Sequence, residues 1–119
     1  MRLFNLLVFD QLVRGNTEVV SPVEFNDPLG KAFDLVFEVE VEESSGTTQT
    51  ITVKYKTSNS GKAFKDVATI VSAGSPSPLP YRAIGTATGP MGAFGQVGVT
   101  LGSSDCVMRV RVWACGRSR

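Results

Sequence analysis

The chain has 119 residues, 42% of them hydrophobic, with 12 basic and 11 acidic side chains, no histidine and a formal net charge of +1. That length makes one domain, able to bury roughly two-thirds of its unfolded surface without staples. The balanced charge excludes the basic excess of a non-specific nucleic-acid binder, and the lack of histidine removes the usual general base, metal ligand and triad member.

In chain order the apolar segments are short and separated by Gly, Pro, Ser, Asn and Asp. This predicts strands over Leu3–Phe9, Glu18–Val23, Ala32–Glu42, Thr48–Thr57, Asp66–Ser72, Tyr81–Thr88, Gly95–Leu101 and Asp105–Cys115. No window of a dozen residues has helical spacing; Gln11–Val13 or Pro28–Lys31 would form a turn of helix at most. The expected fold class is all-β: a single-domain antiparallel β-sandwich of about eight strands over residues 1–119, in jelly-roll or related Greek-key order.

The opening Met1–Asp10 superficially resembles a signal peptide. Asn5 and Asp10 interrupt its apolar run, and no small-x-small cleavage site follows. It is also far short of the ~20 apolar residues that span a bilayer. It therefore reads as a strand, with Phe4, Leu6 and Val8 on one face and Leu3, Leu7 and Phe9 on the other. A strand apolar on both faces needs cover, from the chain's own loops or from another molecule. Removing residues Met1–Phe9 is expected to leave a folded domain.

The clearest pattern runs from Phe33 to Lys56. Phe33, Leu35, Phe37, Val39 and Val41 alternate with polar residues, and after a turn at Gly46 so do Ile51, Val53 and Tyr55. A hairpin centred there pairs Val41 with Ile51, Val39 with Val53 and Phe37 with Tyr55, and sets Glu38 opposite Lys54. Ala73–Pro80 is too rich in proline for a ladder and reads as an extended connector. Gly89–Gly95 is a loop carrying Met91 and Phe94. Each is a docking loop or a long turn.

The last strand is asymmetric. Cys106, Met108, Val110, Val112 and Ala114 form a core stripe, while Val107, Arg109, Arg111, Trp113 and Cys115 face the other way. An outward Trp with two Arg suits a contact surface. The alternative is a loop over Trp113 and arginines paired with Glu38, Glu40 or Glu42. Cys106 and Cys115 stand about 30 Å apart along a regular strand, whereas a disulfide needs Cα atoms roughly 4.4–6.8 Å apart. Two free thiols are expected, in keeping with a reducing cytoplasm. Zinc would need more ligands than these.

Chemistry finds little to work with. Glu38, Glu40 and Glu42 share a solvent face beside lysines, so no desolvated carboxylate is expected. The glycines from Gly85 to Gly95 lack the strand–helix context of a phosphate loop, and Asp10, Asp27 and Asp34 are wrongly spaced for calcium. The expectation is no enzyme, no catalytic residue, no cofactor and no metal.

Residues Val53–Ile70 carry a resemblance. A strand ending Thr57-Ser58-Asn59-Ser60-Gly61 is followed by Phe64 and then Asp66-Val67-Ala68-Thr69-Ile70. Upstream stand Leu7-Val8-Phe9-Asp10, Val19-Val20-Ser21-Pro22 and Lys31-Ala32-Phe33-Asp34-Leu35. Over Leu3 to Ile70 the chain resembles small β-sandwich virion proteins of tailed bacteriophages, of the head decoration or cement type. The Ser58–Phe64 turn also occurs in discoidin-like and carbohydrate-binding sandwiches, often with Trp where this chain has Phe64.

The resemblance implies a structural protein on the capsid surface of the virion, assembled in the host cytoplasm. It would bind the major capsid protein and neighbouring copies of itself, as a homo-oligomer such as a trimer, without nucleic acid or membrane. It carries over no binding residue. The residues themselves nominate Leu3, Phe4, Leu7, Phe9, Met91, Phe94, Arg109, Arg111 and Trp113 as interface. Two alternatives stand beside it. One is a carbohydrate-binding or receptor-facing module, which needs an exposed aromatic platform from Trp113, Tyr81 or Tyr55, with Tyr55 expected inside. The other is a head–tail connector or tail component, which would form a ring.

Overall fold

The computed structural model describes residues 2–21, 25–26, 32–58, 60, 62–88 and 94–118. Along the chain they form β1 (Arg2–Arg14), β2 (Val19–Val20), β3 (Phe25–Asn26), β4 (Ala32–Ser45), β5 (Thr50–Ser58), β6 (Lys65–Gly74), β7 (Tyr81–Thr88), β8 (Phe94–Leu101) and β9 (Val107–Ser118). All pairings are antiparallel. The first sheet runs β1-β9-β4-β7; the second runs β2-β8-β5-β6, with β3 also on β8. With β2 and β3 taken as one interrupted strand, this is the order of a jelly roll. The sandwich expected from the sequence is therefore the fold.

The expected β4–β5 hairpin is not formed. β4 pairs with β9 and β7, and β5 with β8 and β6. The turn around Gly46 instead arches from one sheet to the other. Alternation is satisfied equally by strands side by side and strands face to face, since both place the apolar set inside. Phe37 and Tyr55 do meet, with ring centroids 5.4 Å apart, but across the sandwich. Lys54 accordingly pairs with Asp66 at 3.4 Å on neighbouring β6, and not with Glu38.

The core is the meeting of these alternating stripes. Phe37, Val39 and Val41 of β4, Ile51 and Val53 of β5, and Val97 and Val99 of β8 are all 0% exposed. So are Cys106, Met108, Val110, Val112 and Ala114, the stripe expected of the last strand. Each buried aliphatic side chain of this size contributes roughly 1.5–3 kcal/mol relative to exposure.

β1 corrects two expectations. It runs to Arg14, so Gln11–Val13 is strand and not helical turn. Its register on β9 slips between Leu7 and Phe9: Leu7 lies opposite Trp113 and Phe9 opposite Val112. The extra residue of such a bulge reverses the alternation, which turns Phe9 into the core at 1% exposure. Phe9 is thus a packing residue and not an interface one. Cutting away Met1–Phe9 would strip the second half of β9 of its β1 partner and empty the core position of Phe9, so the remainder is expected to be destabilised.

Two ties hold the layers in place. At one end Gly46 adopts φ +119° and lies against the Cys106 backbone, where a Cβ would sit 2.6 Å from Cys106 Cα. Asp105 accepts bonds from Ser103 Oγ at 2.6 Å and from the Thr47 hydroxyl and amide, joining the β4–β5 arch to the β8–β9 turn. These donors, Ser103 first, lower its pKa from 3.8 to about 2. At the β6/β7 side, Gly85 lets the Ile70 main chain come so close that a Cβ would collide with it.

Gly85→Ala is therefore expected to lower stability by roughly 1–3 kcal/mol, the cost of overpacking where a backbone cannot yield, read as a lower urea midpoint. Asp105, with its depressed pKa, adds stability that is fully present above its unfolded value of 3.8 and lost as pH falls towards about 2. The midpoint difference between wild type and Asp105→Asn should accordingly shrink between pH 5 and pH 2; a difference independent of pH would refute the linkage.

Candidate binding face

Alternation that buries one side of the first sheet sets the other side outward, and the register orders it into rows. One row across β9, β4 and β7 is Cys115–Val36–Thr86. The next, across the whole sheet, is Leu7–Trp113–Glu38–Ile84. The third is Asp10–Arg111–Glu40–Arg82, alternating in sign from edge to edge.

The charged row is closed on itself. Arg109 reaches Asp10 at 2.6 Å, and Arg111 reaches Asp10 at 3.4 Å and Glu40 at 3.3 Å. Arg111 also pairs with Glu42, and Arg82 Nε donates to Glu40 at 2.9 Å. Glu40 is only 7% exposed. The Arg82 hydrogen bond, aided by Arg111, holds its pKa below the usual value against the opposing pull of burial. The paired-arginine alternative thus describes Arg111, through Glu40 and Glu42 but not Glu38. Arg109 finds Asp10, which no local pattern could show, because β1 and β9 come from opposite ends of the chain.

The neighbouring row is mostly apolar and open. Ile84 is 72% exposed and Leu7 52%, with Trp113 half-buried between β1 and β4. Val36, Glu38, Glu40, Arg82, Ile84, Trp113 and Cys115 line an open groove of about 400 Å³. The second sheet differs: β5 turns Thr52, Lys54 and Lys56 outward, and Lys56 is held by Glu18 at 2.5 Å and Asp66 at 3.5 Å. These acids, Glu18 foremost, raise the Lys56 pKa. The exposed row of Leu7, Trp113 and Ile84 belongs to the first sheet.

Of the nominated interface residues, the structure brings Leu7, Arg109, Arg111 and Trp113 to this face. Phe9 is inside. Met91 lies outside the described residues, as do the side chains of Leu3, Phe4 and Phe94. Of the three aromatic platform candidates, Tyr55 is 2% exposed, as expected, and Tyr81 packs against the core. That leaves Trp113. Cys106 is buried and Cys115 half-buried and outward, both free thiols. Sequence reasoning missed Ile84 and Arg82. The signal was present: β7 reads Arg-Ala-Ile-Gly-Thr-Ala, and its small residues suit the inner face where the sheets draw close.

No protein-family model matches the sequence, and no curated protein matches it. Solved structures match in shape. The CBM22-1–GH10 modules of xylanase 10B from Clostridium thermocellum align with TM-score 0.61 at 15% identity, over 98% of this chain but 26% of that one. A protein of the disulfide-linked pili that form Bacillus endospore appendages gives 0.54 at 14% identity, over 98% and 87%. A carbohydrate-binding module of Cellvibrio mixtus lichenase 5A, in complex with cellotriose, gives 0.50 at 8% identity, over 96% and 91%. Such identities show a common fold and transfer no residue's role. The chain is a β-sandwich module of a kind found in both structural proteins and carbohydrate-binding modules.

Replacing Glu40 by Gln should leave Arg82 and Arg111 without their shared anion. The expected loss is about 2 kcal/mol, the scale of a hydrogen bond to a charged group at a poorly exposed site, measured by urea denaturation. Glu38→Gln, at an exposed position, should change stability by less than about 0.5 kcal/mol.

Proposed function

We propose that this protein is a non-enzymatic structural module of a phage virion, a decoration or cement protein that holds onto the head shell. The observation that carries the reading is the free side of the first sheet. β1 is its terminal strand, and on that side of it Leu7 and Leu12 are 52% and 40% exposed, while Leu6, on the strand's other face, is 41% exposed. Edge strands in soluble proteins are usually blunted by proline, lysine or a covering loop, and grouped apolar exposure marks contact sites. The resemblance of Leu3–Ile70 to decoration proteins and the fold likeness to a pilus protein support a role in assembly. The mechanism is mass action: a module that binds only the assembled shell stabilises it by its binding free energy, multiplied over many copies.

Carbohydrate binding is the second reading, supported by the fold likeness to two carbohydrate-active module structures and by the groove beside Trp113.

The virion reading is tested by mixing the purified protein with empty capsids of the phage that encodes it and sedimenting them. Wild type should co-sediment, and Leu7→Asp with Leu12→Asp should reduce capture at least tenfold while circular dichroism and melting stay those of the wild type. Absence of wild-type capture sinks the virion reading; full capture of the double variant sinks β1 as its contact.

A further inference from the structure

The groove over β9, β4 and β7 combines groups that one class of ligand uses together. We infer that it binds a neutral oligosaccharide, with Trp113 against the apolar face of a sugar ring and Glu38 and Arg82 on its hydroxyls. The inference rests on the carbohydrate reading above and is independent of capsid attachment.

Three features carry it. The first is the arrangement of the walls. Trp113 of β9 and Ile84 of β7 stand on either side of Glu38, in one row across the sheet. Neighbouring strands lie about 4.8 Å apart, so the walls are roughly 10 Å apart at their Cα atoms. From Val36 to Glu40 the floor extends about 14 Å along β4, at roughly 3.4 Å per residue. These dimensions and the volume of about 400 Å³ suit a narrow chain lying along the strand.

The second feature is polar capacity left over. Glu38 is exposed and has no ion-pair or hydrogen-bond partner among the described residues. Arg82 is 63% exposed at its side chain and spends Nε on Glu40. Its remaining N–H groups have no partner among the described residues. A carboxylate offers acceptors and a guanidinium offers donors; a sugar hydroxyl does both and can meet each in turn. An aliphatic protein side chain placed here would cover these groups without bonding them, at a desolvation cost. The indole adds a flat apolar surface with a single N–H at its edge.

The third feature is charge and rigidity. Glu40 is already neutralised by Arg82 and Arg111, while Glu38 is not, so an anionic sugar would face an uncompensated carboxylate. Neutral rings meet no such penalty. All these side chains stand on hydrogen-bonded strands and not on loops, so little ordering is needed on binding.

The test uses the full chain on an array of neutral and sialylated glycans, followed by calorimetry with xylohexaose, cellotriose and the strongest array ligand. A neutral oligosaccharide should bind with Kd at or below about 1 mM. Trp113→Ala should weaken it at least tenfold, and Glu38→Gln severalfold. Ile84→Arg, at a position too exposed to endanger folding, should block the groove and weaken binding at least tenfold. Leu12→Asp, outside the groove, should bind as wild type. No neutral ligand for the wild type overturns both the carbohydrate reading and this inference. Binding that survives both Trp113→Ala and Ile84→Arg leaves the carbohydrate reading standing and overturns the groove. A preference for sialylated over neutral glycans overturns the ligand class.

Discussion

The fold depends on β9 being held between β1 and β4. Its inner side, from Met108 to Ala114, is wholly buried, and its two edges pair along almost their full length with strands from the start and the first third of the chain. Remove it and β1 has no neighbour, β4 loses one of its two partners, and the inner faces of β5 and β8 look onto water. A closure made by the last residues of the chain gathers its contacts across long sequence separations, which costs loop entropy before burial repays it. The fold therefore draws on both ends of the chain together, and β1 from Phe9 onward is part of its core.

The same strand organises the outward face. Because β9 sits between β1 and β4, Arg111 has an acid on either side and Trp113 has an apolar residue on one side and Glu38 on the other. The charge row and the apolar row are two consequences of one register. Closing the charge row on itself removes Arg109 and Arg111 as free cations, fixes Arg82 through Glu40, and leaves Glu38 without a partner among the described residues.

The two contacts we propose occupy different ground: association with protein along the β1 edge and its exposed leucines, and a slender polar ligand in the groove over β9, β4 and β7. One jelly-roll module has room for both, since β1 lies beyond the Trp113 wall.

The amino-acid sequence determined that the chain is built of strands and, for β4, β5 and β9, which face of each is buried. The stripe from Cys106 to Ala114 and the insides of β4 and β5 follow from alternation alone, because apolar burial outweighs every other term along a strand. Tertiary structure decided who neighbours whom. Period two tells a residue which way to point and says nothing about its partner, so Phe37 and Tyr55 meet across the layers where a hairpin was expected. Phe9 needed the bulge at Val8, visible only once β1 is laid against β9, to be recognised as core. Ile84, an isoleucine turned outward, became legible when the small residues of β7 were found filling the narrow side of the sandwich. Burial is a local preference summed residue by residue, whereas pairing is a choice among distant strands of similar pattern, settled only by the packing of all of them together.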